Sequence, residues 1–149
     1  MAPEALRLTA ERAASSEREE RAAPLILVAD DVPDVRDIVA EYLGYHGYQV
    51  ATAEDGLEAL AKAFELSPDL ILMDLSMPNL DGWEATRRLR RDARTQHIPV
   101  IAFTGHVLKA YLEAALDAGC DLVVTKPLRP GDLEAEIRKL LGRDPSSRR

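Results

Sequence analysis

The chain lacks several features that would point its reading elsewhere. Only one of its 149 residues is a cysteine, Cys120, so no internal disulfide can form and a reducing compartment, the cytoplasm, is the plain expectation. Apolar runs reach only about five or six residues, as in Leu25-Ile26-Leu27-Val28-Ala29. A membrane-spanning helix needs roughly 18, so membrane insertion is not expected. The first 23 residues contain no apolar stretch of signal-peptide length. A basic surplus is also missing. The formal charge of −7 favours solubility and argues against direct nucleic-acid binding, because phosphate backbones reward a basic surface. His46, His97, His106 and Cys120 do not have the paired close spacing of a zinc site. No G-x-G-x-x-G follows the first apolar run, as a dinucleotide-binding fold would require.

With 46% hydrophobic and 30% charged residues, the chain can bury a core of one domain. The opening stretch over residues 1–23 holds only Leu6 and Leu8 as large apolar residues, and Glu17 and Arg21 stand at helix-pair spacing. It reads as a loose N-terminal extension, or as a helix that docks or self-associates into a homodimer. Residues 143–149 read as a disordered, charged tail. The folded unit is expected over 24–142.

Two patterns alternate within it. Short runs that are apolar on both faces occur at 25–30, up to Asp74, at 100–104 and at 122–126, with a weaker one at 48–53. Such runs fit buried parallel strands. Between them lie helical periodicities: Val35, Ile38, Val39, Tyr42 and Leu43; Leu57, Leu60, Ala61 and Phe64; Leu108, Tyr111, Leu112, Ala115 and Leu116; and, more loosely, Leu133, Ile137, Leu140 and Leu141. The segment after Gly82 is helical in composition, with a thin apolar face and a basic run of Arg87, Arg88, Arg90, Arg91 and Arg94. Five strand–helix units in alternation predict an α/β fold with a parallel sheet and right-handed crossovers.

Ligands of open parallel sheets bind beyond the carboxyl ends of the strands. The predicted strand ends carry Asp30-Asp31, Asp74, Thr104-Gly105 and Lys126-Pro127. Three carboxylates at ~5 Å repel by about 3 kcal/mol per pair at an effective dielectric of ~20. A hard divalent cation with an all-oxygen preference, Mg²⁺, relieves that repulsion. A metal beside a carboxylate with a lysine opposite suits phosphoryl transfer, in which Asp itself can be the nucleophile.

The set Asp30-Asp31, Asp74-Leu-Ser-Met-Pro-Asn-Leu-Asp81-Gly82, Thr104 and Lys126-Pro127 resembles the receiver domain of two-component response regulators. The order and intervals agree: 44 residues from Asp30 to Asp74, 30 from Asp74 to Thr104 and 52 from Asp74 to Lys126. The resemblance covers all but the two ends of the chain, and it implies a stand-alone, single-domain receiver. The implied fold is a flavodoxin-like, doubly wound five-stranded parallel sheet of order 2-1-3-4-5 with five helices, plus the N-terminal extension.

By the same resemblance, Asp74 is the phospho-acceptor. Asp31 ligates Mg²⁺ directly, Asp30 through water, and Asp74 and the Ser76 backbone carbonyl complete the set. Lys126 pairs with the phosphoryl group, Thr104 donates its hydroxyl to it, and Pro127 follows a cis bond that aims the lysine. Ser76, Gly105 and His106 lie where relatives tune phosphate lifetime. The family commonly has an aromatic switch residue three positions before the lysine. Here that position is Val123, which leaves Tyr111, on the helix that follows Thr104, as another route.

The implied upstream partner is a sensor histidine kinase or a histidine phosphotransfer protein, and the output is an unknown downstream protein target. Two other classes fit parts of the pattern. A phosphohydrolase would want a second Asp two residues after Asp74, where Ser76 stands. A binding module that has lost phosphorylation would not need all five site elements intact.

Overall fold

Parallel strands need crossover connections, and here every crossover is a helix. The computed structural model describes residues 23–105, 108–127 and 129–142. Their order is β1 (Leu25–Ala29), α1 (Pro33–Tyr45), β2 (Gln49–Ala53), α2 (Gly56–Leu66), β3 (Leu70–Asp74), α3 (Gly82–Arg91), β4 (Val100–Thr104), α4 (Lys109–Ala118), β5 (Leu122–Thr125) and α5 (Pro130–Leu141). All neighbouring strands pair in parallel, in the order β2-β1-β3-β4-β5. This is the order implied by the resemblance. The N-terminal extension apart from Ala23, the tail over 143–149 and His106 lie outside the described residues.

The central strands β1, β3 and β4 are buried along their whole length, whereas the edge strands β2 and β5 are half-exposed. Side chains alternate across the sheet, as the period of two requires. Ile26, Val28, Leu70, Leu72, Ile101 and Phe103 meet Val39 and Leu43 of α1 and Leu133, Ile137 and Leu140 of α5. Leu27, Ala29, Ile71, Met73, Val100 and Ala102 face α2, α3 and α4.

The two faces are packed differently, and this corrects the expected helix faces. On the three-helix side the inward residues are largely alanines: Ala59 and Ala63 on α2, Ala85 on α3, Ala115 and Ala118 on α4. Of the stripe expected on α2, Leu60 and Phe64 do pack toward this core, but Leu57 and Ala61 do not. Leu57 is 51% exposed, Ala61 is also exposed, and Ala59 and Ala63 take the inward positions. Leu108, Tyr111 and Leu116 likewise lie at the surface. Three helices sharing one face must approach closely, and small side chains permit this. On α1, Ile38 points out while Val39 and Leu43 are buried.

Helix starts follow simple capping chemistry. Asp55 accepts from the Glu58 N–H at 2.7 Å, and Asp81 from the Glu84 N–H at 2.9 Å. Pro33 opens α1 and Pro130 opens α5, where the missing N–H costs nothing.

At the edge opposite the strand C-termini, Arg90 leaves the basic run of α3 and turns inward. Its guanidinium donates to the Gly119 carbonyl at 3.0 Å, to Ile98 O at 2.7 Å and to Gln96 O at 3.2 Å, and it pairs with Asp121 at 3.0 Å. Asp121 in turn accepts from the Val100 N–H at 2.8 Å. One side chain thus ties α3, the lead into β4 and the end of α4. Arg90→Ala leaves the Asp121 carboxylate and three carbonyls short of a donor, so it is expected to cost about 2–4 kcal/mol. Arg90→Lys is expected to recover less than half of that, because an ammonium cannot reproduce the planar fork. Urea denaturation of the three proteins checks both.

Candidate functional site

Because the strands are parallel, their C-termini share one edge, and the expected residues meet there. Asp30 follows β1 directly, its N–H donating to Ala53 O at 3.1 Å. Asp74 and Thr104 are the last residues of β3 and β4, and Lys126 follows β5. Asp30, Asp74 and Thr104 are buried, while Asp31 is exposed at the mouth. The Lys126 ammonium lies 3.1 Å from Asp30 Oδ2 and 3.5 Å from Asp74 Oδ2. It also stands 5.1 Å from the centroid of the Phe103 ring, whose face favours a cation. The Lys126 N–H donates to Thr104 O at 2.8 Å, and the peptide bond that joins it to Pro127 is cis.

Further contacts orient the carboxylates. Asp30 Oδ1 accepts from the Val32 N–H at 2.8 Å, and Asp74 Oδ1 from the Ser76 N–H at 3.2 Å. Each acid then has one oxygen turned to a backbone donor and the other to Lys126. Carboxylate oxygens of Asp30, Asp31 and Asp74 lie within 4.8 Å of one another. Three hard anionic donors against one ammonium leave an excess of negative charge, and such a cluster can hold a divalent cation with oxygen preference. The same crowding acts on Asp74. Burial first, then the Asp30 charge, push its carboxyl from 3.8 up to about 7, against the pull of Lys126 and the Ser76 N–H.

The other anticipated positions lie around this centre. The Ser76 side chain is at the surface, and Gly105 faces open space, since a Cβ there would meet nothing within 4 Å. Val123 is half-buried on β5 against the core below the three helices, and Tyr111 is half-exposed on α4. Cys120 is buried, its Sγ 3.7 Å from Thr86 Oγ1, and burial pushes the thiol up to about 11. It is an inert core residue.

Sequence reasoning missed four contributors. Arg36 of α1 donates to the Asp30 carbonyl at 2.8 Å, so it steadies the acid pair from behind. Gly82 opens α3, and its constraint is steric: a Cβ there would sit 2.4 Å from Asp74 O. Gly56 is similar, with a Cβ falling 2.0 Å from Leu80 O. Asn79, at φ 68°, donates to Asp55 Oδ2 at 2.7 Å and fastens the loop after β3 to the start of α2. The Asp-Gly and Pro-Asn pairs mark a turn, but they carry no signal of what the glycine must clear.

Comparison with known proteins gives one family. Residues 26–138 match the response regulator receiver domain. The DNA-binding dual master transcriptional regulator RpaA of Synechocystis is 41% identical over 120 residues, which are 80% of this chain and 50% of that protein. Sensor histidine kinase RcsC of Escherichia coli is 39% identical over 104 residues, 70% of this chain and 11% of that protein. The chain thus spans half or less of the length of these relatives. Among solved structures, the Vibrio cholerae chemotaxis protein CheY4 superimposes with a TM-score of 0.76 at 29% identity, covering 80% of this chain and 99% of that one. The receiver domain of the Pseudomonas aeruginosa sensor histidine kinase PA1611, solved with magnesium in its active site cleft, gives 0.77 at 32%, covering 82% and 100%.

The raised Asp74 carboxyl has a consequence for stability. Its folded-state pKa of about 7 lies above the ordinary 3.8. It therefore favours folding while protonated, fully so below about pH 4, and that contribution is lost as pH rises through about 7. Without divalent cation, Asp74→Asn is expected to melt at least about 3 °C above the wild type at pH 8, with a smaller difference at pH 5. Adding a divalent cation at pH 8 narrows the gap. Thermal melts in EDTA and in excess Mg²⁺ check the sign and the pH trend.

Proposed function

The chain belongs to the response regulator receiver domain family, and from that membership we propose that Asp74 is its phospho-acceptor in a two-component phosphorelay. The observation that carries this reading is the Lys126 ammonium held between two buried carboxylates, 3.1 Å from Asp30 and 3.5 Å from Asp74. Asp30, Asp31 and Asp74, with the Ser76 backbone carbonyl, would hold Mg²⁺, which supplies positive charge toward the phosphoryl oxygens.

An Asp74 carboxylate oxygen attacks the phosphorus of a phosphohistidine donor. The new O–P bond forms as the P–N bond breaks, and the leaving imidazole nitrogen takes the electron pair and later a proton from solvent. Lys126 follows the transferred group, exchanging part of its contact with the acids for a phosphoryl oxygen. Thr104, buried at the end of β4, donates its hydroxyl to another. Water later reverses the modification, and Ser76, Gly105 and His106 govern its access. The chemistry is confined to the protein's own phosphorylation and dephosphorylation, without turnover of free substrates.

Phosphorylation adds about half to one further negative charge to a site already rich in them. Its output is a population shift set by differential stabilisation of two states. The receiver unit is residues 24–142. The donor, a sensor histidine kinase or a histidine phosphotransfer protein, reaches Asp74 from the strand-end edge. An apolar groove lined by Val35, Ile38, Val39, Pro127 and Pro130 opens beside Lys126 and suits contact with a donor helix. The downstream target is a protein that reads the changed surface, in the cytoplasm. No helix among the described residues is long and apolar enough to cross a membrane.

Incubation with acetyl phosphate and Mg²⁺ is expected to add about 80 Da to the intact protein. Asp74→Asn abolishes the adduct, and Lys126→Ala reduces its yield at least about tenfold. EDTA prevents its formation. An adduct of equal yield in Asp74→Asn overturns the assignment. Replacing Ser76 or His106 changes the adduct's lifetime, measured by its decay after removal of the donor, while leaving its formation intact.

A further inference from the structure

Val123 gives this receiver no aromatic ring on β5 with which to report the state of Asp74. The chain's single tryptophan lies elsewhere, in a place mechanically tied to the acid. Trp83 is the second residue of α3. The residue before it, Gly82, is pressed against the strand end: a Cβ there would lie 2.4 Å from Asp74 O and 2.8 Å from Leu75 Cα. The Gly82 N–H also donates to Leu75 O at 3.0 Å. The start of α3 is therefore packed directly against, and hydrogen-bonded to, the backbone at residues 74 and 75.

From there the indole reaches the next helix. Trp83 Nε1 donates to the Tyr111 backbone carbonyl at 3.3 Å, and the two rings lie 5.9 Å apart between centroids, tilted by 48°. Tyr111 lies in the first turn of α4. That turn has no side-chain cap, because Leu108 stands at the N-cap position, and no acidic residue to complement the helix dipole. By local chemistry this is a weak helix start, and the indole is its cross-helix support. The hydrogen bond is long and solvent-exposed, so it is worth little enough to be made in one state and broken in the other.

We infer that Trp83 is the positioning residue that couples Asp74 to α4, through Tyr111, in the role an aromatic on β5 would otherwise fill. The coupling runs from the Asp74 backbone through Gly82 to the indole, and from the indole to the first turn of α4. It rests on the reading of Asp74 as phospho-acceptor. The Trp83 ring supplies the contact and its N–H the directional bond, so both would be needed for full coupling.

The test compares amide hydrogen exchange over residues 108–118 in the wild type, Trp83→Leu and Trp83→Phe, with and without Mg²⁺ and beryllofluoride. Intact mass after acetyl phosphate treatment is followed in parallel. In the wild type, exchange in this segment is expected to change by about fivefold to tenfold on beryllofluoride addition. Trp83→Leu keeps the mass adduct but responds less than about twofold, and Trp83→Phe falls between them. Comparing each variant with its own unliganded state removes any general loosening of α4. Should Trp83→Leu fail to fold, Trp83→Phe carries the comparison alone, since its ring preserves the packing.

A wild-type-sized response in a folded Trp83→Leu that still forms the adduct overturns the inference and leaves the acceptor reading standing. So does a wild type that forms the adduct with no change over 108–118. Absence of the adduct in the wild type overturns both.

Discussion

Everything at the functional edge depends on one ammonium between two buried carboxylates. Lys126 reaches Asp30 and Asp74 at 3.1 and 3.5 Å, in a place where like charges would otherwise drive the strand ends apart or force a carboxyl to stay protonated. It offsets the cost of burial and that repulsion only in part, since Asp74 remains raised to about 7. The site is held under a residual electrostatic tension that any added cation or phosphoryl group must change. A set of neutral residues would be more stable and would have nothing to report.

Parallel topology is what brings these groups together. Asp30 and Lys126 are 96 residues apart in sequence, yet both directly follow a strand. Five strands running one way deliver five C-termini to one edge, so a residue just past one strand end lies beside those past the neighbouring strands. This is why so much was legible from the chain alone. Each strand run could be followed to its last residues, and the chemistry found there was already consistent.

What the chain did not reveal follows from forces without a periodic or compositional signature. Hydrophobic periodicity assigned Leu57 and Ala61 to the buried side of α2, because it weighs side chains by apolarity alone. Close packing against α3 and the sheet instead admits Ala59 and Ala63 and turns Leu57 to solvent. Arg36 and Arg90 were indistinguishable from other solvated arginines, since their acceptors are mainly backbone carbonyls brought near by the fold. Gly82 carries no sequence mark of its constraint, and only the approach of the Asp74 carbonyl reveals why a larger residue would not fit. The strand order 2-1-3-4-5 also came from the family pattern, because alternation of strands and helices is compatible with several orders.

The Arg90 network has a mechanical meaning beyond stability. It clasps the C-terminal end of α4, at Gly119, to α3 and to the approach of β4. Among the described residues, the first turn of α4, with Leu108 as its N-cap, carries no side-chain cap and no acidic residue. A ten-residue helix is about 15 Å long. Clamped at one end and lightly held at the other, it is a lever with its fulcrum at the floor of the domain. A small tilt leaves Ala118 almost stationary and sweeps the first turn, Lys109 to Tyr111, through the largest arc. The surface that swings farthest is then the one nearest the acidic edge, and the floor serves as the fixed frame against which that displacement is felt.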